Sequence, residues 1–380
     1  MKDQPTRREL LQFASAWIAL RALPLQARAA RIATIVGVGT RGMAAEGDPP
    51  ETAHINNPYG LIEDAARSGL FWVDNSTHRV LRVDYKAKKI SIVAGTGTAG
   101  YSGDGGAAKA AQLAQPHEIR FDSKGNLYIV ERDNYVVRRI DMKTGIISTF
   151  SGTPRSRGFS GDGGPATNAQ FNQPHGIAID PSDNLYICDV LNNRVRRVDA
   201  KTGIITTFAG SGQPGRTPDE GALTQTPIEG PRSLEISRAG KIYVALREGN
   251  GIFELNAKNG RLKRIAGNGE GGYSGDGGPA VAARFGAAAP GGLTGPKGLC
   301  VSEDGNTMYV ADCENHVIRK VDLRTGIIST AAGTGQRGDG PDGDQPLKCQ
   351  LNRPHSVYVR DKVLYIGDSE NHRIRTLTPA

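Results

Sequence analysis

Residues 175–210 read "HGIAIDPSDNLYICDVLNNRVRRVDAKTGIITTFAG". Apolar residues alternate in four runs that begin near Gly176, Asn184, Arg194 and Gly203, with Asp-Pro-Ser-Asp-Asn and Asp-Ala-Lys-Thr-Gly as turn chemistry between runs. Alternation at period two places successive side chains on opposite faces of a strand, so the stretch predicts a four-stranded antiparallel meander. One such sheet cannot cover both of its faces alone.

The unit recurs. "NNPYG", "AQPHE", "NQPHG", "EGPRS", "TGPKG" and "NRPHS" align, with prolines at 58, 116, 174, 231, 296 and 354 spaced by 58, 58, 57, 65 and 58 residues. Six small sheets packed radially bury one another's faces, which predicts an all-β, six-bladed β-propeller of four-stranded antiparallel blades. The last unit ends after its third strand, "HRIRTLTP", while "ARIATIVGVG" near the start matches fourth-strand runs such as "GIITTFAGSG". The opening strand is therefore expected to complete the final blade and remove the exposed edges of the ring. Blade 4 departs most, since "GNGIFELN" lacks the basic third-strand residues and "GAAAPGG" lengthens its exit loop.

Bulk composition agrees with this reading. Fifty glycines in 380 residues and 6% aromatics fit many turns and short strands. Residues 1–29 differ: Arg7 and Arg8 precede an apolar segment from Phe13 to Leu20 and then Ala27-Arg28-Ala29. That pattern is the expectation for a twin-arginine export signal cleaved after Ala29, leaving a propeller domain at 30–380 that is periplasmic or secreted. The apolar segment is far shorter than the roughly 20 residues a membrane span needs, so no span is expected in the mature chain.

The formal charge of +8 falls to +5 without the leader, and the arginines of "VLRVD", "VVRRID", "NRVRRVD" and "HVIRKVD" are spread around the repeats. A nucleic-acid footprint requires clustered bases and stacking aromatics, so no nucleic-acid partner is expected. Cys188, Cys300, Cys313 and Cys349 form no CxxC pair. Cys188 and Cys300 fall in strands and read as buried thiols; Cys313 and Cys349 fall in loops of one face, where an oxidising compartment admits a disulfide. There is no GxSxG, HExxH or GxxxxGK[ST]. The glycine runs "GTGTAG" and "GSGQPG" follow fourth strands and precede no helix.

The third-strand segments "NHVIRKVD" and "NHRIRTL", with "THRVLRVD" and "NNRVRRVD", resemble the NHL repeat, and "YSGDGGPA" and "FSGDGGPA" resemble loops of bacterial secreted NHL proteins. The resemblance covers nearly the whole chain after the leader and implies the propeller. For function it implies a range, from scaffolds and adhesion modules to lyases and lactonases.

Strand direction puts the loop before each innermost strand and the loop between second and third strands on one face, around the channel mouth. The first set carries Tyr59, His117, His175, Arg232, Lys297 and His355; the second begins with Asp74, Glu131, Asp189, Asp312 and Asp368. A concave mouth with imidazoles, carboxylates and bases is equipped to bind a small molecule or protein ligand. The alternative is a metal-dependent lyase or lactonase, with His117, His175 and His355 as ligands or bases and Arg232 or Lys297 holding an anionic substrate. The set resembles that of peptidyl-amidoglycolate lyase relatives, whose zinc is held by histidines from alternating blades. Here His117 and His355 fit that spacing, but Arg232 stands at the third position. His117 with Glu118 and His355, or His175 with Asp189, remain candidate sets. No cofactor is required by a motif; a divalent metal, zinc or calcium, is the one these residue types admit. The repeated carboxylates also have a structural use at turns, and Asp104, Asp162 and Asp276 of "SGDGG" are expected to tie loops between blades.

Overall fold

The computed structural model describes residues 30–288 and 295–378. The leader and most of the blade 4 exit-loop insertion lie outside the described residues. Blade 1 comprises Pro58–Glu63, Gly69–Asp74, Arg79–Asp84 and Lys89–Ala94, hydrogen-bonded in that order as an antiparallel meander. Blades 2, 3 and 5 repeat the arrangement from innermost strands Pro116–Phe121, Pro174–Ile179 and Gly298–Val301. Each innermost strand touches the next around the circle, and Ser356–Arg360 of blade 6 returns to Pro58–Glu63 of blade 1.

The ring closes as the sequence predicts. Arg31–Val36 pairs antiparallel with Arg373–Thr378, Arg31 opposite Thr378 and Ile32 opposite Leu377, so the first strand of the chain is the fourth strand of blade 6. Ile32 is fully buried in that seam.

Among the described residues the core is divided between the blade interfaces. Six apolar clusters each join two neighbouring blades; one combines Trp72, Leu81 and Leu70 of blade 1 with Tyr365 and Ile374 of blade 6. Both faces of a blade are therefore covered, and every residue of Gly69–Asp74 is buried. Apolar burial of this kind contributes about 1.5–3 kcal/mol per large side chain, and here it depends on the neighbouring blade being present.

Buried arginines tie the blades at the rim. Arg138, Arg196 and Arg319 of three third strands are inaccessible, and each meets a carboxylate of its own second strand (Glu131, Asp189, Asp312) at 3.5–3.6 Å and a loop aspartate (Asp104, Asp162, Asp276) at 2.7 Å. The "SGDGG" aspartates thus tie the preceding loop to the blade, as expected.

Blade 4 solves the same problem differently, and it has a fifth strand that the four-stranded expectation missed. Leu246 and Phe253 occupy the places of the carboxylate and the arginine, and Arg264, opposite Phe253 on the fourth strand, supplies the guanidinium instead. Arg264 binds Asp219 at 2.7 Å and the Thr217 carbonyl at 2.8 Å. Glu220–Ala222, next to Asp219, pairs along the outer strand Arg261–Ala266. The loop before blade 4 lacks "SGDGG", so an added edge strand positions its aspartate.

All four cysteines are free and buried, so the Cys313–Cys349 pairing is not made. Cys313 faces the channel side against His355, while Cys349 packs outward in the blade 5–6 seam with Leu351 and Ile32.

Candidate functional site

The x-Pro-His segments build the site. The residue before each aligned proline takes a left-handed conformation in Asn57, Gln115, Gln173 and Arg353, with φ between 47 and 54°. This turns its carbonyl back over the strand that follows. The imidazole two residues later then reaches it: Nδ1 of His117 lies 2.9 Å from the Gln115 carbonyl, His175 2.7 Å from Gln173, and His355 2.9 Å from Arg353. A carbonyl only accepts, so Nδ1 carries the proton and donates in all three; in the neutral ring Nε2 is then an acceptor, unpartnered among the described residues in His117 and His175 and facing the Cys313 thiol at 3.7 Å in His355.

The histidines of the repeat motif fix this geometry from the blade before. Nδ1 of His78 accepts the backbone N–H of Gln115 at 3.2 Å, and His316 accepts that of Arg353 at 3.1 Å. His372 does the same for Asn57, and the Asn193 side chain for Gly230. These motif side chains therefore hold the strand entrance of the next blade.

The structure brings the expected mouth residues together. The Tyr59 ring stacks on His355 with centroids 4.4 Å apart and meets His117 edge-on at 5.3 Å; His117 meets His175 edge-on at 4.4 Å. Below them Gly60, Gly176 and Gly298 occupy alternate blades where a side chain does not fit. A Cβ on Gly298 would lie 2.6 Å from the His355 carbonyl oxygen, and one on Gly176 2.7 Å from that of Arg232. These close approaches draw neighbouring inner strands together and keep the mouth narrow.

Electrostatics divides the bases. Lys297 donates to Glu314, which also receives Arg353 at 2.7 Å, and Arg353 bridges on to Glu370 at 2.5 Å. Arg247 pairs with Glu248, and Arg120 donates to Glu118 at 2.6 Å. Arg232 is different: it is 5% exposed and has no hydrogen-bond or ion-pair partner among the described residues. Burial and the neighbouring Arg247 lower its pKa to about 10, so it is still cationic at neutral pH. Burial, reinforced by the Arg232 charge, holds His117 and His175 far below the usual imidazole range; burial and Lys297 do the same for His355. All three rings are neutral. Burial also raises the Tyr59 hydroxyl above its ordinary value, with Arg232 opposing the shift.

The second-strand carboxylates are elsewhere engaged. Glu131, Asp189, Asp312 and Asp368 are inaccessible and accept backbone N–H groups of the incoming loop, asparagine amides and the buried arginines. Burial raises all four, with those donors opposing it. Asp74 follows the same pattern with Thr77 and Arg79. Residues that the sequence reading passed over also reach the rim: Arg247, Glu314, Arg353 and Glu370. The available signal was the turn "DCENH" and its relative "DSENH", where the glutamate follows the strand-end aspartate by two places.

The mouth does not fit a resident metal. Tyr59 intervenes between His355 and His117, Glu118 is held by Arg120, and the Asp189 oxygens are taken up within the blade. Among the described residues no three His, Cys, Asp or Glu side chains are grouped to hold a metal ion, whereas zinc needs three or four donors near 2.1 Å.

Comparison with known proteins agrees with the architecture. The Teneurin NHL domain matches residues 51–158 and 151–219, and the NHL repeat matches 351–377. The chain is 27% identical to the chloroplastic protein SUPPRESSOR OF QUENCHING 1 of Arabidopsis thaliana, over 77% of this chain and 27% of that protein. With NHL repeat-containing protein 2 of Gallus gallus it shares 27% identity, over 70% of this chain and 39% of the relative. The chain thus spans well under half the length of these relatives. Among solved structures, an auxiliary nutrient binding protein from Bacteroides ovatus superposes with TM-score 0.68 at 17% identity, covering 93% of this chain and 78% of that one. A gluconolactonase from Xanthomonas campestris gives 0.55 at 14%, covering 92% and 89%. Among the described residues no helix is long and apolar enough to cross a membrane.

Proposed function

The chain is an NHL-repeat six-bladed β-propeller, and from that premise we propose that it is a ligand-binding module whose channel mouth takes a small anionic molecule. The observation that carries this reading is Arg232: a buried guanidinium, still charged, beside three imidazoles and Tyr59, with no hydrogen-bond or ion-pair partner among the described residues; the nearby Glu118 carboxylate is held by Arg120. A buried cation without a hydrogen-bonded counter-ion is costly, and its cost is relieved when an anion arrives. The other mouth bases are already matched by glutamates, so an added anion has one place to go.

Arg232 is the anchor, Tyr59 and His355 form a flat wall, and His117 and His175 line the adjacent side. Glu131, Asp189, Asp312 and Asp368 support the walls without touching the ligand. The module works outside the cytoplasm, a placement that rests on Arg7, Arg8 and the short apolar segment after them. Replacing both arginines with lysine is expected to retain the protein in the cytoplasm, and unchanged export refutes the placement.

The mouth is tested by thermal unfolding of the full chain against a panel of small carboxylates, sulfate and phosphate, with Arg232→Met in parallel. A ligand at a hundred times its Kd stabilises by about 2.7 kcal/mol. At least one anion is expected to stabilise the wild type and not the variant. Equal responses of the two proteins, or no response to any anion, overturn the assignment.

A further inference from the structure

We infer that the mouth selects a carboxylate that also carries hydroxyl groups, a polyhydroxylated acid rather than a bare anion or an uncharged sugar. The inference rests on the binding reading above and deepens it from hydrogen-bond polarity. Beside Arg232 the walls offer acceptors: Nδ1–H of His117 and of His175 is spent on the Gln115 and Gln173 carbonyls, and neither Nε2 has a partner among the described residues. A neutral imidazole locked in that tautomer can only accept at Nε2. An anion such as sulfate or an alkyl carboxylate satisfies Arg232 and leaves both nitrogens without donors. A polyol satisfies the nitrogens and leaves the cation alone.

Hydroxylated acids do both. The His117 and His175 ring centroids are 4.4 Å apart, which suits hydroxyls on nearby carbons of one chain. The stacked Tyr59 and His355 rings add aromatic carbon beside these nitrogens. The histidine tautomers are set by two backbone carbonyls, and the Gln115 backbone is itself held through its N–H by His78. The acceptor pattern is therefore built into the strand entrances and does not depend on the ligand.

The test is calorimetric titration of the full chain with D-gluconate, with hexanoate as the same-length acid lacking hydroxyls, and with sorbitol as the uncharged counterpart. Gluconate is expected to bind roughly tenfold or more tighter than either, since each lost hydrogen bond weakens binding about threefold to tenfold. In histidine-¹⁵N spectra, gluconate is expected to shift the unprotonated Nε2 signals of His117 and His175, with the Nδ1–H tautomer retained. Hexanoate binding as tightly as gluconate, with loss in Arg232→Met, overturns the hydroxyl reading and leaves the anion site intact. Sorbitol matching gluconate, no binding of gluconate, or gluconate binding without movement of either Nε2 signal also overturns it. Failure of the anion site itself is read separately, from the anion panel.

Discussion

Blade 4 supplies a rescue experiment for the buried ion pairs that tie the other blades. Arg319 is inaccessible, donates to Asp276 at 2.7 Å and the Ser274 carbonyl at 3.1 Å, lies 3.6 Å from Asp312, and sits between the rings of Tyr273 and Phe285. Arg319→Phe removes the guanidinium beside Asp312, whose remaining donors among the described residues are the Gly286 N–H and the Asn315 amide. Leaving a buried carboxylate without its counter-charge costs about 3–5 kcal/mol. Blade 4 has Leu246, Phe253 and Arg264 at the places of Asp312, Arg319 and Thr330, since Phe253 pairs with Arg264 as Arg319 pairs with Thr330. The triple exchange Asp312→Leu, Arg319→Phe and Thr330→Arg copies that solution, with Asp276 already hydrogen-bonded at Thr330 to receive the new guanidinium. It is expected to return to within about 2 kcal/mol of wild type, the remainder reflecting the Gly286 and Asn315 donors that lose their acceptor. Urea unfolding with an unchanged slope measures both variants. A single variant costing under about 1 kcal/mol, or a triple variant no more stable than the single, refutes the reasoning.

Three further outcomes are expected. His175 is neutral in the fold because burial and Arg232 lower its pKa, whereas the unfolded chain takes a proton near 6.5. Its contribution is full above pH 6.5 and falls as the pH drops below it. The stability difference between wild type and His175→Gln therefore shifts against the wild type by up to about 2 kcal/mol from pH 7 to 5, and a pH-independent difference contradicts the neutral assignment. Gly298→Ala puts a methyl 2.6 Å from the His355 carbonyl oxygen and is expected to cost about 1–3 kcal/mol in denaturant unfolding and to weaken anion binding; no change in either argues against a close-packed mouth. Ile32→Ala opens the closing seam and is expected to cost about 2–5 kcal/mol by denaturant unfolding, while a cost below 1 kcal/mol means that closure contributes little.

Periodicity made the propeller legible. Six prolines at near-equal spacing, alternation at period two and a fourth-strand pattern displaced to the start of the chain carry the blades and their closure without reference to any contact. The same topology puts Tyr59, His117, His175, Arg232, Lys297 and His355 on one rim, because a meander returns every such loop to the same side. Which of them is free for a ligand was not legible. Lys297 and Arg232 occupy the same place in their repeats, and each repeat has a glutamate two places past its second strand, but Glu314 pairs with Lys297 whereas Glu248 is taken by Arg247 and no described carboxylate pairs with Arg232. The carboxylates Glu131, Asp189, Asp312 and Asp368 repeat as regularly as the histidines, yet packing turns them into the blades to meet arginines seven residues later. A repeat determines which face a residue belongs to. Its protonation, its pairing and its tautomer depend on what the neighbouring blade brings against it, as the Gln115 and Gln173 carbonyls do for His117 and His175.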